Sequence, residues 1–265
     1  AKEEVEEVVV TAEKRSESLQ DISQAVTALT ESDIEEKNIE SFVDLSAIVP
    51  GVTVAKNEGY KTIISIRGVG NETNQNAIAA PSVAFHMDGV FIASPFALGA
   101  DFLDVERIEV LRGPQGTLFG QNSTGGAVNV ISKKPTTEGA EGKLNVTFGD
   151  YNLRKLSTSN NFVINDKIAS RISISSTTRD GFTENIFTGQ DLDDANNKSF
   201  RTDWMFDLND TSSLRVFGQY FKVDRNGAAI RGIDDQSSSM RKLSQDTISQ
   251  HELSSMVVAA IYESD

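Results

Sequence analysis

The chain has 265 residues and a formal net charge of −14, with 39 acidic residues against 25 basic ones, and such a surplus disfavours a nucleic-acid binder, whose footprint is a basic patch or stripe. It contains no cysteine and only two histidines, His86 and His251, which excludes disulfide scaffolds, thiolate zinc sites, cysteine nucleophiles and histidine-rich metal centres. No run approaches the ~18 consecutive apolar residues of a membrane-spanning helix; the nearest, 77–85, is broken by Pro81 and Ser82.

The chain opens on Ala1 with no charged n-region or apolar h-region behind it, so any secretory signal is expected to have been removed or trimmed. Residues 2–20 are highly charged but hold the run Glu6-Glu7-Val8-Val9-Val10-Thr11-Ala12. Three valines and a threonine prefer extended backbone, and the charged flanks offer them no core to enter. The run therefore reads either as a strand that adds to another protein's sheet or as an ordinary edge strand. Next, Thr30-Glu31-Ser32-Asp33-Ile34-Glu35-Glu36 has the cap residues and early acids of a helix entrance. A second helix is expected over 41–48, ended by Pro50-Gly51. Short β-type runs follow at 62–66, 82–85, 89–93 after a turn at Asp88-Gly89, 108–111 and 127–132, with exposed loops at 71–80 and 94–101. Residues 21–134 thus read as a small mixed α/β domain.

Beyond Lys133-Lys134-Pro135 alternation takes over. Leu144, Val146 and Phe148 alternate with Lys143, Asn145 and Thr147; Ile172 and Ile174 with Arg171, Ser173 and Ser175; Phe200, Trp204, Phe206 and Leu208 with Arg201, Asp203 and Asp207. Such segments fit strands of ~9–11 residues that cross a membrane at a tilt. Less regular candidates lie at 214–223 and 252–262, giving about six strands with 149–156 joining the first two. Connections at 165–167 and 209–212 are tight and polar, whereas 180–198 and 224–250 are long and hydrophilic. Outer-membrane barrels have that asymmetry. A soluble antiparallel sandwich with one hydrated face remains the alternative.

The densest signal is Asp104-Val105-Glu106-Arg107-Ile108-Glu109-Val110-Leu111-Arg112-Gly113-Pro114-Gln115-Gly116-Thr117-Leu118-Phe119-Gly120, continuing through Gly125-Gly126-Ala127-Val128-Asn129-Val130-Ile131-Ser132-Lys133-Lys134-Pro135. A phosphate loop does not fit, because a β run with no loop lysine follows Gly126. This stretch closely resembles the plug-domain motif of TonB-dependent outer-membrane receptors, with Phe119 for the usual tyrosine and Val128 and Val130 for isoleucines. Ile66-Arg67-Gly68 and Met87-Asp88-Gly89-Val90 are similar to two further plug motifs, and Glu7, Val8, Val9, Val10, Thr11 and Ala12 resemble the TonB box.

The resemblance implies an α+β plug domain followed by antiparallel β-strands of an incomplete transmembrane β-barrel. It divides the chain into a flexible TonB-box segment (1–20), a plug (21–135) and the first barrel strands (136–265). Gly113, Gly116, Gly120, Gly125 and Gly126 are expected to allow positive φ or close backbone approach. With Arg67, Gly68, Asp88 and Gly89 they form the plug's structural and gating set. Arg107, Glu109 and Arg112 are expected to face barrel-wall charges. Ligand contacts are expected at Asn71, Glu72, Asn74, Gln75, Asn76, Ser94 and Phe96. The implied partners are TonB with its inner-membrane energising complex, an extracellular ligand such as a ferric siderophore, and outer-membrane lipid. The implied address is the outer membrane of a Gram-negative bacterium, with the plug facing the periplasm. No enzyme chemistry, cofactor, resident metal or nucleic acid is implied; the acidic run at 191–197 lacks the central glycine and distal glutamate of a calcium loop. The alternative from another class is a soluble or surface binding and signalling module. Plugged barrels use 22 strands, on the order of 450 residues, so the chain reads as a truncated receptor.

Overall fold

The computed structural model describes residues 9–10, 17–18, 24–57, 61–70, 81–99, 101–235, 237 and 239–264. They form two compact units that part between Lys133 and Lys134.

In the first unit, strand β1 (Val9–Val10) pairs antiparallel with β2 (Glu17–Ser18). Strand β3 (Val26–Thr30) runs directly into helix α1 (Glu31–Glu36). The Thr30 hydroxyl accepts the Asp33 N–H at 3.3 Å while the Asp33 carboxylate accepts the Thr30 N–H at 3.1 Å, a reciprocal cap that satisfies two orphan donors. The Lys37 ammonium, 2.5 Å away, and then the Thr30 backbone hold the Asp33 carboxyl below the usual range. The helix expected over 41–48 is split into a 3-10 turn, Phe42–Asp44, and α2 (Leu45–Ile48). The cause is the Asp44 carboxylate, which accepts the N–H groups of Glu40 and Ser41 at 3.0 and 2.8 Å and tightens the first turn.

Strands β4 (Val52–Asn57), β5 (Lys61–Ile66) and β6 (Val69–Gly70) make a small antiparallel sheet. Strands β7 (Val83–Met87), β8 (Val90–Phe91) and β9 (Val105–Arg112), helix α3 (Gly116–Phe119) and β10 (Gly126–Ser132) follow. They build a five-stranded sheet ordered β3-β9-β10-β7-β8, in which β10 and β7 run parallel. One face buries Leu29, Phe85, Ile108, Val110 and Val128 against Phe42 and Leu45, with the Phe42 ring edge-on to Phe85 at 5.3 Å. Strands β3 and β4 escaped the sequence reading; each is short, and their buried apolar residues are Leu29, Val52 and Val54. The segment 94–101, expected as an open loop, instead contains a 3-10 turn, Pro95–Gly99, anchored by buried Leu98.

The second unit is dominated by long strands: β11 (Glu141–Gly149), β12 (Leu153–Asn165) and β13 (Ile168–Arg179). After the short β14 (Thr183–Asn185) and β15 (Gln190–Leu192) come β16 (Ala195–Asn209), β17 (Ser212–Asn226), the short β18 (Lys242–Leu243) and β19 (Gln250–Ser264). The six long strands pair in the order β11-β12-β13-β16-β17-β19, each antiparallel to the next in sequence. The first connection is shorter than the expected 149–156, because residues 153–156 pair with β11 up to Gly149↔Leu153. The bend that remains is made by Tyr151 and Asn152, both at positive φ.

Register sets the character of this sheet. One cross-strand row reads Ile174, Phe200, Tyr220, Met256 and the next but one Trp204, Val216, Ala260. On this face large apolar side chains are exposed, Phe148 at 76%. The opposite face buries polar ones, among them Ser173, Asp203, Arg215 and Arg201, the last at 2%. A soluble sandwich would bury its apolar face and wet its polar one. Among the described residues no helix is long and apolar enough to cross a membrane. The long connections, expected as plain hydrophilic loops, carry β14, β15 and β18 as a sheet of their own.

Gly126 lies where β10 leaves the motif loop, at φ +146°, and a Cβ there would stand 2.2 Å from the Leu111 carbonyl oxygen and 2.8 Å from Ile66 Cδ1. Gly126→Ala is expected to lower stability by about 2 kcal/mol, read as a fall in the chemical denaturation midpoint. Gly116, with nothing within 4 Å, is its control, since Gly116→Ala should change stability by less than about 0.5 kcal/mol.

Candidate functional site

The strand-forming run near the amino terminus is described at Val9 and Val10; Glu7, Val8, Thr11 and Ala12 lie outside the described residues. The sequence left two readings open, addition to another protein's sheet or an ordinary edge strand, and offered the valines no core. In the structure β1 has a partner in β2, with Val9↔Ser18 and Val10↔Glu17 in register. The Val10 side chain has no exposed surface and clusters with Ala84, Leu111, Phe119 and Ala127, flanked by Val26, Phe91 and Leu118. Distant residues supply this socket, which is why the charged flanks gave no hint of it.

The glycine-rich motif builds that socket. Gly113 and Gly120 take φ of 101° and 71°, and the excursion between β9 and β10 closes through Gly113 N–H to the Gly125 carbonyl at 3.1 Å and Gln115 N–H to the Ser123 carbonyl at 2.9 Å. The Ser123 hydroxyl donates to the Gly120 carbonyl at 2.6 Å. Folded back in this way, α3 carries Leu118 and Phe119 to Val10. Gly125 is needed for proximity, since a Cβ there would lie 2.8 Å from the Val69 carbonyl oxygen. Gly116 has an ordinary backbone and open space around it, so neither a positive φ nor a close approach requires it.

The two other motifs are matching turns. Arg67-Gly68 joins β5 to β6 with φ of 53° and 78°, and Asp88-Gly89 joins β7 to β8 with φ of 50° and 81°. Positive φ at both central residues is the two-residue hairpin turn that suits strand twist. Asp88 also accepts the Ser132 N–H at 2.9 Å, fixing this turn to the end of β10.

Arg107 and Glu109 lie on one face of β9 and Arg112 on the other. Glu109 is fully buried; its carboxylate accepts from Arg107 Nε at 2.9 Å and from Asn129 Nδ2 at 3.3 Å, and Arg107 is also bonded to Glu106. Those donors give the buried carboxylate hydrogen-bond partners in place of water. Arg112 Nε is buried without a hydrogen-bond partner. Of the expected ligand contacts, Ser94 is exposed and Phe96 falls in the turn Pro95–Gly99. Asn71, Glu72, Asn74, Gln75 and Asn76 lie outside the described residues. Among the described residues no group of three or more His, Asp or Glu is placed to hold a metal ion.

A buried charge network in the second unit escaped the sequence reading. Asp203 on β16 receives Arg215 Nη2 at 2.6 Å and Arg201 Nη2 at 2.8 Å, and Arg201 Nη1 donates to Gln219 Oε1 at 3.0 Å. Both guanidiniums pack on the Phe217 ring, their carbons 4.4 and 5.5 Å from its centroid. The signal was the alternation itself, Arg201-x-Asp203 against Arg215-x-Phe217-x-Gln219, but only the register Asp203↔Phe217 brings the two halves together.

Comparison with known proteins places these features. Residues 18–127 match the family model of the TonB-dependent receptor plug domain. The chain is 33% identical over 144 residues to a vitamin B12 transporter, BtuB, of Vibrio vulnificus strain CMCP6, covering 52% of this chain and 22% of that protein. It is 33% identical over 133 residues to the pesticin receptor of Yersinia pestis, covering 48% and 19%. The chain thus matches about a fifth of the length of these curated relatives. Among solved structures, the ferric yersiniabactin uptake receptor FyuA of Yersinia pestis superposes with a TM-score of 0.78 at 20% identity, over 90% of this chain and 38% of that one. FpvAI in its complex with pyocin S2 gives 0.79 at 18% identity, over 96% and 33%; at these identities the likeness is one of fold.

Removing the shared acceptor of the Arg201–Asp203–Arg215 network should be costly because all three groups are buried. Asp203→Ala is expected to lower stability by about 3 kcal/mol, measured by thermal unfolding in detergent. Exposed Asp210→Ala, on the neighbouring turn, should be near neutral.

Proposed function

The chain carries the plug domain of a TonB-dependent receptor followed by antiparallel strands of barrel type, and from that premise we propose that it is part of a ligand-gated active importer in the outer membrane of a Gram-negative bacterium. In this reading residues 1–20 carry the TonB box, 21–135 the plug and 136–265 the first strands of the barrel. The plug faces the periplasm, and the exposed apolar face of the sheet meets lipid. Ligand binds at the outer end, for which Asn71, Glu72, Asn74, Gln75, Asn76, Ser94 and Phe96 are our candidates. Binding alters the plug, and the box, Glu7 to Ala12, is released to TonB. TonB pairs with the box as an added strand and transmits force from the inner-membrane complex, since the outer membrane has no ATP supply.

The observation that carries this reading is Val10. A segment suited to strand addition is stored, with its side chain buried on Phe119 and Leu111 of the glycine-rich motif. Burial of a valine side chain contributes about 2 kcal/mol, so the stored segment is free roughly thirtyfold less often than an unanchored one. Disturbing the motif from the ligand side would therefore be enough to change how often the box is offered. For cargo we propose a ferric chelate, supported by the named role of the FyuA neighbour. The vitamin B12 relative makes cobalamin the competing outcome. The inverted faces of the long-stranded sheet weigh against a soluble module.

Deleting residues 6–12 from the full-length receptor should abolish uptake of a ferric chelate while leaving its binding intact; retained uptake would exclude the box. Phe119→Ala should raise binding of an isolated TonB carboxy-terminal domain to the unliganded receptor by about tenfold. Ile172→Arg, on the apolar face, should cost ~2–4 kcal/mol in lipid bilayers, and a neutral result in a folding assay would argue against lipid contact there.

A further inference from the structure

The long connections of the second unit are not independent loops. We infer that the turn 150–152, the connection 180–194 and the described parts of the next, 227–235 and 239–249, form a single clasp that moves as one body over the ends of the strands; that this clasp guards ligand entry rests on the importer reading above.

Its centre is a short parallel pairing of β14 with β18, Glu184↔Lys242 and Asn185↔Leu243. The Glu184 and Ile186 N–H groups donate to the carbonyls of Arg241 and Leu243, each at 2.9 Å, and Lys242 Nζ reaches Glu184 at 2.7 Å. Two side-chain amides then extend the pairing as backbone surrogates. Asn185 has no exposed surface; its Nδ2 donates to the Gln245 carbonyl at 2.9 Å and its Oδ1 accepts the Gln245 N–H at 3.1 Å. Gln190 does the same to Ser249, donating from Nε2 to its carbonyl at 3.2 Å and accepting its N–H on Oε1 at 2.9 Å. A two-point amide contact reproduces the donor and acceptor spacing of a β-bridge, so the sheet is longer than its backbone ladder. Beneath it Leu192 and Leu243 are buried.

The third connection is tied in by rings and backbone. Arg241 stacks 5.4 Å from the Tyr151 ring and 5.9 Å from Phe182, and the two rings are 5.8 Å apart. The Asp180 N–H donates to the Tyr151 carbonyl at 2.8 Å. Asp193, at the far end of the hairpin, accepts the Ala229 N–H at 3.0 Å. The connection 180–194 thus holds each of the other two at more than one point, and Arg241 over Tyr151 links those two directly.

The test uses hydrogen exchange on the full-length receptor in detergent, and needs no ligand. Asn185→Ala is expected to raise exchange about tenfold at the amides of Glu184, Ile186, Ser249, Ala229 and Asp180 together. A rise confined to Phe187 and Gln245, whose amides lose a bond to the Asn185 side chain, would overturn the clasp, because independent loops would respond only at the lost bonds. Because the chain has no cysteine, the pair Glu184→Cys with Lys242→Cys can be bridged selectively by oxidant or a short bis-maleimide. Bridging in the unliganded receptor, with protection restored in the Asn185→Ala background, is expected; failure to bridge would also overturn the proposal. Binding of the TonB carboxy-terminal domain through residues 6–12 is read separately, so failure of the clasp and failure of the importer reading are distinguishable.

Discussion

The second unit depends on an unbroken register. From Glu141↔Asn161 on one side to Asn226↔Gln250 on the other, neighbouring long strands pair over their shared length, with irregularities only beside the tight turns, at Val163/Asn165 and Asp207/Asn209. Where one face of a sheet is apolar and has no water to bond its backbone, the ladder must supply every partner. A one-residue slip would exchange the two faces, setting Arg201, Asp203 and Arg215 where Phe200, Trp204 and Leu214 now stand. The buried network of those charges also holds the register from the polar side, because Asp203 can meet both guanidiniums in only one alignment.

The first unit answers a different constraint, that of bringing backbone close to backbone in a small space. Gly125 and Gly126 lie against Val69 and Leu111, where a side chain would clash, and the two hairpin turns reverse the chain within two residues each. This closeness creates the socket that Val10 fills. Val10 thereby gains a defined place, set mainly by Ala84, Leu111, Phe119 and Ala127, all more than seventy positions away.

What could be read in advance followed from how local the information was. Alternation along 143–148, 168–179 and 200–208 marked strands, because strand periodicity is written in consecutive residues. Asp88-Gly89 marked its turn for the same reason, and Thr30 with Asp33 marked the start of α1. The glycine motif identified the first unit, although nothing local distinguished Gly116, which the backbone does not require, from Gly126, which it does. The socket of Val10, the Arg201–Asp203–Arg215 network and the sheet of β14, β15 and β18 were invisible. Each is assembled from segments whose partners are fixed only by the finished register, and in hydrophilic connections such as 180–194 the bonding capacity of Asn185 and Gln190 looks no different from that of any solvated amide.

The uneven lengths of the connections bear on how the sheet comes together in time. Bends of two or three residues, such as Asp210-Thr211, leave little chain to confine, and closing a longer loop costs more entropy with each doubling of its length. The hairpins β11–β12, β12–β13 and β16–β17 are therefore the pieces that can zip first. Their docking to one another must wait for 180–194 to be gathered in. The pairing of β14 with β15 shortens that wait by crosslinking the slack chain to itself, so the outer decoration of the sheet also serves as the stitching that joins separately formed halves.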